Sequence, residues 1–116
     1  MDIEMFYQFC ESLPGTEATF PFDSKTLVYK VGGKMFALAD VEDFSGFNVK
    51  CDPEKAEELR AQYPEVTPGF HMNKKHWNTV SVQGSVEESL LLSWIRDSHH
   101  LVWSGLSKKQ RELIPL

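Results

Sequence analysis

Two β-rich runs separated by Gly32-Gly33 constrain this chain more than any other stretch. Thr26-Leu27-Val28-Tyr29-Lys30-Val31 and Lys34-Met35-Phe36-Ala37-Leu38-Ala39 have the length of strands and are rich in strand-favouring side chains. The glycines between them accept positive φ, which a two-residue hairpin turn requires. Such a turn fixes register. If Val31 pairs with Lys34, then Leu27, Tyr29, Val31, Phe36 and Leu38 share one side, and Val28, Lys30, Met35 and Ala37 the other. The first set is wholly apolar in character and is expected to face the core.

Further elements follow from the same kind of reading. Phe47-Asn48-Val49-Lys50-Cys51 alternates as a strand with Phe47, Val49 and Cys51 inward and Asn48 and Lys50 outward. Trp77-Asn78-Thr79-Val80-Ser81-Val82 alternates likewise, with Val80 and Val82 inward and Trp77, Thr79 and Ser81 outward. A short edge strand over Ala18 to Phe22 is weakened by Pro21. Ile3, Phe6, Tyr7, Phe9 and Cys10 recur at helical spacing and stop at Pro14-Gly15, which predicts a helix from Ile3 to Ser12. Asp52 followed by Pro53 marks the start of a helix reaching about Gln62. Ser85 and Glu88 have capping-box spacing, opening a long helix with the stripe Leu90, Leu91, Trp94, Ile95, Ser98, Leu101 and Val102, which Gly105 ends. Ser107 and Gln110 form a second capping box before a C-terminal helix whose Leu113 and Ile114 are expected to dock on the core. The order predicts an α+β fold with helices packed on one face of an antiparallel sheet.

With 116 residues, 41% of them hydrophobic, the chain suits one core and is too short for two, so residues 1–116 are read as a single domain. No apolar run approaches the length that spans a bilayer, and Met1-Asp2-Ile3-Glu4 is not a leader, so a cytoplasmic location away from membranes is expected. Cys10 and Cys51 have neither metal-knuckle nor redox-pair spacing and are expected to be reduced thiols, with no cofactor implied. The net charge of -5 argues against nonspecific polyanion binding. Its distribution matters more: acids gather at 40–43, 52–58 and 87–88, whereas Lys30, Lys34, Lys50, Lys74 and Lys75 lie in or beside strands.

The run His71-Met72-Asn73-Lys74-Lys75-His76-Trp77-Asn78-Thr79-Val80 puts two adjacent cations, two imidazoles and an indole into ten residues. A buried strand avoids unpaired charge, so the run reads as a contact surface. Together with Lys30, Lys50, Met35, Val28 and Asn48 on the uncovered sheet face, Trp77 would make a stacking platform for bases or a docking site for a protein.

Leu13-Pro14-Gly15-Thr16-Glu17, the Gly32-Gly33 hairpin, Lys50-Cys51-Asp52-Pro53 and Asn73-Lys74-Lys75-His76-Trp77-Asn78-Thr79 resemble the MmcQ/YjbR family, and the match extends to Ser98 and Leu101-Val102. The resemblance implies a CyaY/frataxin-like fold and the DNA-binding role by which that family is described. On that reading, Lys74, Lys75, Trp77, Lys30, Lys50 and His76 are the nucleic-acid contacts, and DNA is the expected partner.

Plainer roles stand beside these. Lys74 and Lys75 would otherwise be a solvated turn, and Trp77 would pack under the 64–69 loop. His71 and His76, five apart in a segment expected to be extended, fall on opposite faces and make a poor metal pair. His99-His100 near a helix end would be favoured by the helix dipole. The chain lacks a nucleophile elbow, a phosphate-cradling glycine loop, HExxH and CxxC, so no enzyme is expected. Cys10 or Cys51 with His76 as base would need only proximity, but both thiols are expected to point inward. The alternatives carried forward are a protein-interaction module on the same face and a small-molecule or metal-binding protein. Oligomeric state is left open; a pair of protomers would double the phosphate contacts.

Overall fold

The expected hairpin forms, with φ of 57° at Gly32 and 81° at Gly33, the paired positive values of a type I′ turn. The computed structural model describes residues 1–116. In chain order its elements are α1 (Ile3–Ser12), β1 (Thr16–Thr19), β2 (Thr26–Val31), β3 (Lys34–Asp40), β4 (Gly46–Lys50), α2 (Pro53–Gln62), β5 (Val66–Pro68), β6 (Trp77–Ser81), α3 (Glu88–Ser104) and α4 (Lys108–Leu113). The strands form one antiparallel sheet in the order β1-β2-β3-β4-β6-β5.

Val31 pairs with Lys34 and Lys30 with Met35, as the turn dictates, but the next pair is Tyr29 with Ala37. Phe36 is therefore an extra residue on β3, a β-bulge. Beyond it the parity reverses. Ala37 and Ala39 join Tyr29 and Leu27 in the main core, while Leu38 turns to the opposite face beside Val28. The expected placements of Leu38 inward and Ala37 outward are corrected for this reason, since one inserted residue flips every side chain that follows.

A bulge leaves backbone groups without ladder partners, and here α3 supplies one. Ser98 Oγ donates to the Phe36 carbonyl at 2.6 Å and accepts from the Lys50 N–H at 2.8 Å. The β3–β4 ladder beside it has two registered pairs, Ala37–Val49 and Leu38–Asn48. A fully buried hydroxyl thus spans the gap where that ladder stops.

The helical residues of the main core all pack on one side of the sheet. Phe6 and Cys10 of α1, Leu59 of α2, and Leu91, Trp94, Ile95 and Val102 of α3 meet Tyr29, Phe36, Phe47, Val49 and Val80 there. Phe6 stacks on Phe47 at 5.8 Å, and the Tyr63 ring meets Trp94 edge-on at 5.2 Å. Asp2 caps α1 by accepting from the Met5 N–H at 2.9 Å. Asp52 is the N-cap of α2 with Pro53 following it, although its side chain makes no capping bond.

Several boundaries differ from expectation. The edge strand is Thr16–Thr19 rather than Ala18 to Phe22, because pairing with β2 ends at Thr19; Phe20 and Phe22 are left exposed. β5 lies outside the sequence expectation, being three residues long and ending on Pro68, too short for alternation to register. The Ser85 capping box does not form. Ser85 instead donates its N–H and hydroxyl to Glu65 Oε2, at 2.8 and 3.3 Å, and α3 starts three residues later with Glu87 as its N-cap. These bonds hold the Glu65 carboxyl below the usual carboxylate range. The Ser107 box does form, but α4 sits at the hairpin end of the sheet, and its Leu113 stays exposed while Ile114 is half-buried. His99 is not the surface group expected of a helix end. It is 2% exposed, meets Phe36 edge-on and lies with Nε2 2.7 Å from the Pro14 carbonyl. A carbonyl can only accept, so Nε2 carries the proton, and burial pushes the imidazole pKa down.

Candidate nucleic-acid interface

The second face of the sheet carries no helix. A small cluster lies there, Val28, Leu38 and Trp77 with Met35 and Met72 against it. Register and chain order put all six sequence-selected residues at one end of this face. Lys30 pairs with Met35 and Lys50 with Trp77, and the loop holding Lys74 and Lys75 runs directly into Trp77. At about 4.8 Å per strand, Lys30 and Lys50 stand roughly 10 Å apart across β3.

The loop between β5 and β6 is tightly built. The Asn73 carbonyl accepts from Trp77 N–H at 2.9 Å and from His76 N–H at 3.3 Å, and Asn73 Oδ1 accepts from Lys75 N–H at 3.0 Å. The expected extended course for 71–76 is therefore corrected to a set of turns, in which His71 takes a φ of 58°. Arg60, reaching across from α2, holds the loop from the side: Nε donates to Asn78 Oδ1 at 2.7 Å, and Nη2 to the carbonyls of Trp77, at 3.1 Å, and Lys74. Such a fork suits several acceptors at once.

Trp77 points to the expected face but is not a platform. It is 7% exposed, with Met72 packed against its cluster and Gly69 so close that an added Cβ would lie 2.8 Å from the Trp77 Cβ. The plainer role, packing under a loop, is the one it has, although the cover comes from Gly69 and Met72 of the 69–76 loop rather than from the rest of the 64–69 segment. His76 is half-buried, Lys30 and Lys50 are half-buried, and Lys74 and Lys75 are exposed. Lys74 Nζ donates to the Gly69 carbonyl at 2.9 Å, which orients it without neutralising it. The only ion pair in the protein joins Lys25 and Glu42, so none of these four lysines is in an ion pair, although Glu17 stands directly across β1–β2 from Lys30. The acids Asp40 and Asp43 lie toward the opposite end, around a shallow pocket of about 360 Å³ with Asn48, Phe70 and Thr79.

Three residues escaped the sequence reading. Phe70 is the exposed aromatic of this region, 68% accessible, its N–H bound to Thr79 Oγ1 at 2.9 Å and its ring 4.0 Å from that of His71. Nothing in local periodicity marks it, because it follows Pro68-Gly69 in a loop. Arg60 and Asn78 left a fainter signal: the alternation that faces Val80 inward also turns Asn78 inward, and a carboxamide there demands a partner. Cys51 lies just past β4, half-buried rather than inside a strand, and burial raises its thiol pKa; Cys10 is fully buried and raised further.

Comparison with known proteins gives this geometry a lineage. The chain is 39% identical over 103 residues to the uncharacterized protein YbdF of Escherichia coli O157:H7, covering 88% of this chain and 84% of that one. It is 34% identical over 115 residues to the uncharacterized protein YjbR of Escherichia coli K12, covering 98% of each. Among solved structures, a Deinococcus radiodurans protein superposes with a TM-score of 0.90 at 40% identity, over 97% of this chain and 88% of that one. A Pseudomonas syringae protein gives 0.74 at 25% identity, over 88% and 99%. The YjbR family model matches residues 11–101, from the end of α1 to the last turn of α3, and this chain belongs to the YjbR family.

Proposed function

We propose that this protein is a nonenzymatic nucleic-acid-binding domain that grips the phosphate backbone with Lys30, Lys50, Lys74 and Lys75, with His76 beside them. The observation that carries the reading is the gathering of four lysines, none in an ion pair, at one end of a helix-free sheet face and around a hydrogen-bonded loop. Phosphate contacts need cations whose charge is not already spent, and a fixed loop limits the entropy lost on binding. The proposal includes the finer expectations of a frataxin-type arrangement and a cytoplasmic setting, which two unpaired thiols support.

The test is a fluorescence-anisotropy titration of duplex DNA across salt. Four phosphate contacts give a log–log slope of about -3.6, so affinity should fall about 150-fold between 50 and 200 mM salt. Lys74→Ala with Lys75→Ala should halve that slope and leave a fall of about 12-fold. A slope unchanged by the double substitution removes these lysines from the interface. No binding at the lowest salt removes nucleic acid itself and leaves the face as a docking surface for protein.

A further inference from the structure

On the other side of the sheet, α2 and α3 diverge over the end of β4 and β6 and leave a cleft of about 300 Å³. Its walls are mainly apolar, from Val49, Leu59, Val80, Trp94 and Leu101. Cys51 also lines it, and a thiol whose pKa is raised by burial is a neutral, small, soft group there. The rim holds Lys50, Asp52, Lys55, Asp97 and His100, groups of both signs, which selects for no particular ion.

One lining residue breaks the apolar pattern. Asn78 is 1% exposed, and by register its side chain lies on the helix side with Val49. Its Oδ1 accepts from Arg60 Nε at 2.7 Å. Because Arg60 Nε can only donate, the amide cannot be turned round, and Nδ2 is the atom left over. That Nδ2 has no partner in the protein and no surface open to solvent, so an acceptor in the cleft reaches it only as the wall of the cleft gives. A buried N–H donor without an acceptor is rare, and one bordering a cleft of ligand size is what a binding site looks like before its ligand arrives.

We propose that this cleft binds a small, neutral, mostly apolar molecule carrying one carbonyl-type oxygen, which accepts from Asn78 Nδ2. The apolar body lies against Trp94, Leu59 and Leu101, and the oxygen completes the hydrogen bonding of the amide. The inference does not depend on the nucleic-acid reading, since the cleft opens on the face of the sheet that carries the helices and, although Lys50 borders it, no lysine takes part in the proposed binding.

The experiment is an NMR titration of the full ¹⁵N-labelled chain with two probes of nearly identical shape, acetophenone and α-methylstyrene, in which a methylene replaces the oxygen. Acetophenone is expected to shift the Asn78 side-chain amide and the Trp94 indole, and to bind about fivefold to tenfold more tightly than its hydrocarbon twin. Asn78→Asp keeps an acceptor for Arg60 while removing the free donor, so it should erase the preference for acetophenone. Leu101→Trp, at a partly exposed wall position, should block both probes without disturbing the core. Equal affinity of the two probes in the unsubstituted protein overturns the proposal, as do shifts that map away from the cleft. No response to either probe up to its solubility limit would mean that the cleft takes no such molecule, and equally overturns it.

Discussion

Replacing Trp77 by alanine separates two accounts of the helix-free face. A stacking platform would be solvated and its indole would contribute little to folding, whereas Trp77 is 7% exposed and lies in a cluster with Val28, Leu38, Met35 and Met72. A buried aromatic side chain covers roughly 150–250 Å². At about 25 cal/mol per Å² its removal forfeits about 4–6 kcal/mol of transfer free energy. That range is an upper bound, because the unfolded chain already shields part of the ring, and the loop carrying Met72 has room to settle into the space. The expected loss is therefore about 3 kcal/mol, the lower end for aromatic-to-alanine changes in a core. Unfolding entropy of about 2.1 cal/mol/K per residue gives the 116-residue chain about 0.24 kcal/mol/K, so the melting temperature should fall by about 12 °C. Urea unfolding followed by far-UV circular dichroism measures the loss directly, with the m-value expected to hold. A loss below about 1 kcal/mol, within the range of surface substitutions, would refute the covered placement and return Trp77 to the exposed role.

Two other substitutions probe the frame. Ser98→Ala should cost about 2–4 kcal/mol in urea unfolding, since it strands both the Phe36 carbonyl and the Lys50 N–H; a cost below about 0.5 kcal/mol would mean that neighbouring backbone groups pair without it. His99 should impose a pH dependence of definite sign. Burial lowers its pKa in the folded state below the unfolded value of 6.5, so the unfolded chain binds the extra proton first. The stability it contributes is present above pH 6.5 and lost as pH falls from there through the folded value. His99→Gln, which keeps a donor for the Pro14 carbonyl, should flatten the melting temperature between about pH 6.5 and 5, above the carboxylate range. A melting profile that keeps its slope in this variant would assign the dependence to another group.

Much of this arrangement was legible in the sequence because local chemistry decided it. Gly32-Gly33 set the turn, Asp2 and Ser107 capped their helices, and the stripe Leu91, Trp94, Ile95 and Val102 buried the expected side of α3. The misreadings share a different origin. Period-two alternation holds only while no residue is inserted, and nothing local at Phe36 announces a bulge whose compensation comes from Ser98, 62 positions later. Ser85 has the spacing of a cap, but Glu65 bids for the same donors from another part of the chain. For the candidate site, the lysines could be found from charge placement. The cover over Trp77 could not, because it depends on how the 69–76 loop folds back.

The short ladder between β3 and β4 makes the six strands into two three-stranded halves, β1-β2-β3 and β4-β6-β5, meeting along a seam of two residue pairs. Ser98 stitches that seam with a side chain from a helix, so the mechanical unity of the sheet depends on α3 staying docked. Lifting the helix would unpick the stitch and let the halves swing apart while each kept its own ladders. Lys30 belongs to one half, and Lys50 with the Lys74–Lys75 loop to the other. The spacing of the proposed phosphate contacts thus rests on the two ladder pairs of the seam together with a hydroxyl on the far side of the sheet.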